Sequence, residues 1–238
     1  MTRKLSVGDT LNEVFSLYGS NAGALLPIAF WLFLVVAIVD GLAGSKVAFL
    51  PLVIVVSTVA GTLYQGIVVS LVRDVQDGRR DTSMGDLVSQ AMPFILPLIG
   101  AGILSGLGVG IGFILLVVPG LILLTIWAVI APVIVIEGSG VIDSFGRSRD
   151  LVRGNGWPVF GVIIVAFLIA LIGGLIFGGI AASIADGPLL RIVFSALAST
   201  ITAPIGALVA AVLYYRLLAI KGAPTVDPTA PIAPSEPY

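Results

Sequence analysis

The chain contains no cysteine and no histidine, and only 11% of its 238 residues are Asp, Glu, Lys or Arg. Without cysteine there is no disulfide framework, no thiolate nucleophile and no sulfur ligand for a metal. Without histidine the commonest general base and the commonest metal ligand are missing as well. The charge content is less than half of the roughly 25% usual in soluble domains. Net charge is -1 and no basic or acidic block stands out. That argues against a nucleic-acid partner. Neither a metal nor a cofactor is expected.

What replaces charge is apolar length. Hydrophobic residues make up 58% of the chain and the mean hydropathy is +1.15, more apolar surface than a soluble globule of this size can hide. Five runs lack any Asp, Glu, Lys or Arg over a span-like length: 14–39, 47–72, 87–136, 154–185 and 192–215. A charge near the bilayer centre costs about 2.5–3.5 kcal/mol even on lenient scales, so such runs mark spans. As one helix the third run would reach about 75 Å, more than twice a hydrocarbon core of about 30 Å. It must fold back once, and the turn is expected at "VVPG", 117–120, where proline stops a helix and glycine tolerates a tight bend. The total is then six spans.

Ten of the twelve Lys and Arg residues fall on one side of a six-span drawing, leaving Lys46 and Arg191 on the other. The excess of positive charge on that side places both termini in the cytoplasm. Trp157, Tyr214 and Tyr215 lie at the cytoplasmic rim, whereas Trp31 and Trp127 sit deeper and read as packing residues. No secretory signal is expected ahead of the first span, because positions 1–21 carry charges throughout.

A threefold repeat underlies this pattern. "SVGDTLNEVFSLYGSNAG" from Ser6, "SMGDLVSQAMPF" from Ser83 and "GVIDSFGRSRDLVRGNGW" from Gly140 resemble one another, with Asp9 aligned to Asp143 and Asn21 to Asn155. Ser6 with Asp9, and Ser83 with Asp86, have the spacing of a capping box. In the first copy Val7, Leu11, Val14 and Tyr18 share a stripe opposite Asp9, Glu13 and Ser16. In the third, Val141, Phe145 and Val152 form the stripe, with Asp143, Arg147 and Asp150 opposite at ion-pairing spacing. The expected fold is all-α and integral to the membrane. Its six transmembrane helices form three hairpins, each preceded by an amphipathic helix lying in the interface. Residues 1–222 would form the membrane domain and 223–238, rich in proline, a disordered cytoplasmic tail.

Small residues at four-residue spacing, Gly102, Gly106 and Gly110 in the third span and Gly174 and Gly178 in the fifth, point to close helix packing. A dimer face or a gating helix is the alternative. Gln65, Ser57, Thr58, Ser105, Thr125, Ser195, Ser199, Thr200 and Thr202 are the polar groups of the spans, expected to make interhelical hydrogen bonds rather than a ligand site.

The stretch from Pro119 to Trp157 resembles the membrane-domain family named after glycerophosphoryl diester phosphodiesterases, and the wider set of six-span prokaryotic membrane proteins akin to it. The likeness is carried by Pro119, Gly120, Trp127, Pro132, Glu137, Arg147, Ser148, Leu151, Val152, Gly154 and Trp157. An opening such as "LSVGDTLNEVFSLYGSNAGALLPIAF" and a close such as "YYRLLAIKG" extend it over 5–222. The resemblance implies a six-span membrane domain. Some members join it to a catalytic barrel, which is not expected here, and without histidine the acid-base pair of that chemistry cannot be built.

Six charged residues, Glu137, Asp143, Arg147, Arg149, Asp150 and Arg153, crowd the segment 137–153. An enzyme reading would make Glu137 a base and Ser139 or Ser144 a nucleophile, with arginines holding an anion. No histidine or lysine stands nearby to complete it, so catalysis is not expected. Arg149 and Arg153 fall at the edge of the apolar stripe, beside Ile142, where guanidinium groups reach lipid phosphates. The expected function is a non-catalytic membrane scaffold or accessory subunit contacting anionic lipid, with a possible protein partner. A translocator of a lipid-like or apolar small molecule is the alternative.

Overall fold

The computed structural model describes residues 5–44, 46–78, 84–184 and 187–222. The proline-rich tail, Ser83 and the cations Arg3, Lys4, Arg79 and Arg80 lie outside them. The described residues are almost all helical, with no strand among them. The helices are α1 (Val7–Ala43), α2 (Leu50–Gln76), α3 (Met84–Ala91), α4 (Ile95–Leu115), α5 (Val117–Ile126), α6 (Ile130–Glu137), α7 (Val141–Val152), α8 (Gly156–Ile184) and α9 (Pro188–Lys221). Six segments are long and apolar enough to cross a membrane: α1, Val47–Gln76, Gly85–Leu115, Val117–Glu137, Gly156–Ile180 and Ile192–Lys221. Large apolar side chains such as Leu42, Leu96, Ile114 and Leu175 point outward from them. An exterior of that kind is stable in hydrocarbon and not in water. The protein is a multi-pass membrane protein.

Sequence neighbours α1 and α2, α4 and α5, and α8 and α9 pack together, but the most extensive interface joins α1 to α9, the first span to the last. These are the two longest helices, about 55 and 51 Å at 1.5 Å per residue, and they run antiparallel. Arg216 Nε donates to Glu13 Oε2 at 2.7 Å and its Nη2 to the Asp9 carbonyl at 2.9 Å at the end where α1 begins and α9 finishes. The Tyr18 hydroxyl donates to the Ile201 carbonyl at 3.2 Å. At the far end Gly41 lies against Ile192 so closely that a Cβ there would sit 2.5 Å from its side chain.

Each repeat copy differs in outcome. The first does not make a separate element: Ser6 caps α1, its hydroxyl accepting from the Asp9 amide at 3.3 Å, and the helix runs unbroken into the span because no proline interrupts it before Pro27. The second forms α3, which a tight turn at Met92–Phe94 holding Pro93 separates from α4. The third forms α7, closed by Gly154 at φ +89°, a left-handed position that favours glycine.

The fold-back in the long run falls one residue ahead of "VVPG". Leu116 alone is extended, and Val117 to Gly120 make the first turn of α5, where the missing proline N–H would have had no helical partner anyway. Gly120 serves contact rather than bending: its added Cβ would lie 2.6 Å from the Phe113 ring, and one on Gly112 2.9 Å from the Gly120 Cα.

Candidate functional site

The charged segment folds onto the end of the bundle where α1 begins and α9 finishes. Gly138, at φ +66°, ends α6, and a short link returns the chain as α7 against α6, α4, α5 and α9. The apolar stripe of α7 therefore meets protein rather than lipid. Ser144, Ser148, Leu151 and Val152 are buried, Val141 packs on Gly100, and Phe145 meets the Trp127 ring edge-on at 4.9 Å. The same holds for the first copy, where Val14 is buried in the core and Val7, Leu11 and Tyr18 pack against it.

Arg147 does not pair with Asp143 or Asp150, as its helical spacing suggests. Its Nε donates to both carboxylate oxygens of Glu137, at 3.0 and 2.9 Å. The Tyr214 hydroxyl of α9 donates to the same carboxylate at 2.9 Å. Glu137 is nearly enclosed, its side chain 10% exposed. The hydrogen bond to Glu137, with the carboxylate's charge, raises the Arg147 pKa above its ordinary value. A cation whose folded pKa is raised contributes stability at every pH below its ordinary value, so this arm of the site stays charged across the accessible range. α6, α7 and α9 are thus joined by one carboxylate that accepts from two partners.

A second tie was not legible in the chain. Pro132, in the first turn of α6, has no N–H to donate to the Ala128 carbonyl, and the fourth span breaks into a non-helical turn at Trp127–Val129. Ser148 closes that break: its hydroxyl donates to the Ile126 carbonyl at 2.8 Å and accepts from the Val129 amide at 3.4 Å. Lys221 Nζ donates to the Arg153 carbonyl at 2.8 Å, anchoring the end of α7 to the end of α9. Ser148 stood inside the "RS" motif, but nothing local pointed to its partner 22 residues away.

The remaining candidates are placed as follows. Asp143, Arg149, Asp150 and Arg153 are exposed, and neither arginine side chain has a hydrogen bond or ion pair among the described residues. Beside them Ile142 is 70% and Trp157 84% exposed. Ser144 donates to the Val141 carbonyl at 2.6 Å within its own helix. Of the predicted packing glycines, Gly102 touches Thr62, at 3.4 Å from an added Cβ. Gly106, Gly110, Gly174 and Gly178 have no described neighbour within 4 Å. The close approaches occur at other glycines: a Cβ on Gly108 would sit 2.7 Å from the Trp127 ring and one on Gly173 3.3 Å from Thr202. Four-residue spacing puts glycines on one face without saying what that face meets. Trp31, expected inside, is 67% exposed. The hydroxyls of Thr58, Ser105, Thr125, Thr200 and Thr202 bond carbonyls three or four residues back in their own helices rather than crossing between helices.

The family model that matches this chain covers residues 91–218, or 128 of 238 residues, and takes in every member of the Glu137, Arg147 and Tyr214 cluster. The chain belongs to that family, described as a domain of unknown function (DUF7847). No curated protein matches the chain, and no solved structure does.

Proposed function

We propose that the protein is a non-catalytic scaffold or accessory subunit of a prokaryotic plasma membrane, with both termini cytoplasmic, that holds anionic lipid headgroups at Arg149 and Arg153. The observation that carries this reading is the exposed face of α7. Two arginines without a side-chain partner among the described residues stand beside outward Ile142 and Trp157. An aliphatic and an indole side chain favour the acyl and headgroup layers, and guanidinium groups beside them reach phosphate oxygens. Each such cation contributes about 1 kcal/mol near an anionic leaflet.

Orientation rests on the ten cations that share one side in the six-span drawing, α7 being among them. The non-catalytic part rests on the chemistry of the cluster. Glu137, the base of the enzyme reading, is held by Arg147 and Tyr214, and Ser144, one of its two nucleophile candidates, is buried with its proton committed. The likeness to the glycerophosphoryl diester phosphodiesterase membrane domains belongs to the same reading, since Glu137 and Arg147 are two of the residues that carry it and here they brace helices.

The test is Arg149→Gln with Arg153→Gln. Anionic lipid retained through purification, measured by mass spectrometry, should fall, while topology persists on the eight cations that remain of ten. Unchanged lipid in a correctly inserted double variant would reduce these arginines to orientation signals.

A further inference from the structure

Halfway along the spans, α2, α5, α8 and α9 border an open-sided cavity of about 420 Å³, within the range of ligand pockets, about 300–1,000 Å³. Its volume is made by truncated side chains on facing helices, Ala166 and Ala170 on α8 and Ala203, Gly206 and Ala210 on α9, with Phe167 at its wall. Polar groups converge on this apolar space. Gln65 lines it, and its amide makes no hydrogen bond among the described residues. Thr202 lines it too, its proton given to the Ala198 carbonyl at 2.8 Å, so its oxygen can still accept. Ala128 lines it at the broken turn of the fourth span, and among the described residues nothing donates to the Ala128 carbonyl.

A primary amide and a bare carbonyl at this depth are unfavourable against hydrocarbon, which offers no hydrogen bonds. Non-helical backbone in the middle of a bilayer is stable where it lines a cavity, and broken helices beside a midplane pocket are how membrane proteins present backbone groups to a ligand. Among the described residues no charged side chain lines the space, so a phosphate or carboxylate would enter without a counter-charge. The donors and acceptors together, Gln65 offering both and Thr202 accepting, match a group that donates and accepts once each. We infer that this cavity is a binding site for a lipid whose polar group is an uncharged hydroxyl, held by Gln65 with its chain along Phe167 and the small-residue wall. It is separate from the arginine face of α7, and the two can fail independently.

The full chain, reconstituted in phosphatidylcholine vesicles, is labelled with a diazirine-bearing hexadecanol and the adducts are mapped by mass spectrometry. Label is expected on α8 and α9 around Phe167 and Gly206, displaced by unlabelled hexadecanol and not by hexadecane. Gln65→Leu should lower labelling about two- to tenfold, the range one hydrogen bond spans, while thermal stability in detergent holds or rises because an unpaired amide is gone. Gly206→Leu, at a site where an added Cβ meets nothing within 4 Å, should fill the space and abolish labelling. Arg149→Gln with Arg153→Gln should leave it unchanged. Equal labelling of Gln65→Leu and parent, displacement by hexadecane as good as by hexadecanol, or a cross-link to a second copy of the chain would each overturn the assignment, the last by naming a protein occupant instead.

Discussion

Arg147 of α7 grips the carboxylate of Glu137 at the end of α6 through two contacts of 3.0 and 2.9 Å from a single Nε. Ten residues separate the partners, a distance that no helical periodicity brings together. The chain reverses at Gly138 to make the contact, and Tyr214, a further 77 residues from Glu137, completes it.

Removing the carboxylate leaves two donors without their acceptor, so Glu137→Ala should cost about 1–3 kcal/mol. Tyr214→Phe, which deletes one hydrogen bond and keeps the ring, should cost about 0.5–1.5 kcal/mol. Thermal unfolding in detergent reads both. In the Glu137→Ala, Arg147→Ala double variant the loss should fall short of the sum of the singles, because the partners share one interaction. Additive losses would mean that the pair is a surface coincidence.

Ser148→Ala strips the broken turn of the fourth span of its donor to the Ile126 carbonyl and its acceptor for the Val129 amide. A cost of about 1–3 kcal/mol is expected for polar backbone left unsatisfied. Faster hydrogen exchange confined to 126–130 would locate the effect. Exchange unchanged there would show that the turn closes without the hydroxyl.

Gly108→Ala drives a methyl group into the Trp127 ring and through it against Phe145. Overpacking of this kind costs about 1–3 kcal/mol, and Trp127→Phe added to it should recover part of the loss. Gly106→Ala and Gly110→Ala meet no atom within 4 Å and should be neutral in the monomer. A large loss at either would reveal a partner on that face.

The fourth expectation concerns orientation. A reporter active only outside the cytoplasm should work when inserted after Gly44 or Gly187 and fail after Gly78 or Ser139. Activity at Gly78 or Ser139 would contradict the six-span reading.

Much of the architecture was legible because its causes are local. Hydropathy over some twenty residues locates a span, since a bilayer tests each helix for length and charge one at a time. Ser6 starts a helix because its hydroxyl meets an amide three residues on. Proline and glycine near 116–120 mark a fold-back within one residue of its place, although Gly120 turned out to be there for contact with Gly112 and Phe113 rather than for its own bend. Where the cause is not local, reading failed in a consistent way. Helical spacing grouped Val14 and Phe145 into apolar stripes and suggested lipid, whereas Val14 lies in the buried core and Phe145 meets Trp127. Spacing likewise paired Arg147 with Asp143 and Asp150, its own helix neighbours, and grouped Gly106 with Gly110 when it is Gly108, between them, that meets the Trp127 ring. The chain alone therefore determined how many helices cross, where they start and stop, and which faces are apolar. Tertiary structure alone decided that the first span lies against the last, that Glu137 gathers Arg147 and Tyr214, and that Gln65 faces a cavity with no hydrogen bond among the described residues. The reason is that a periodic pattern states what a face is made of, while the identity of its neighbour depends on residues brought near only when the whole bundle has closed.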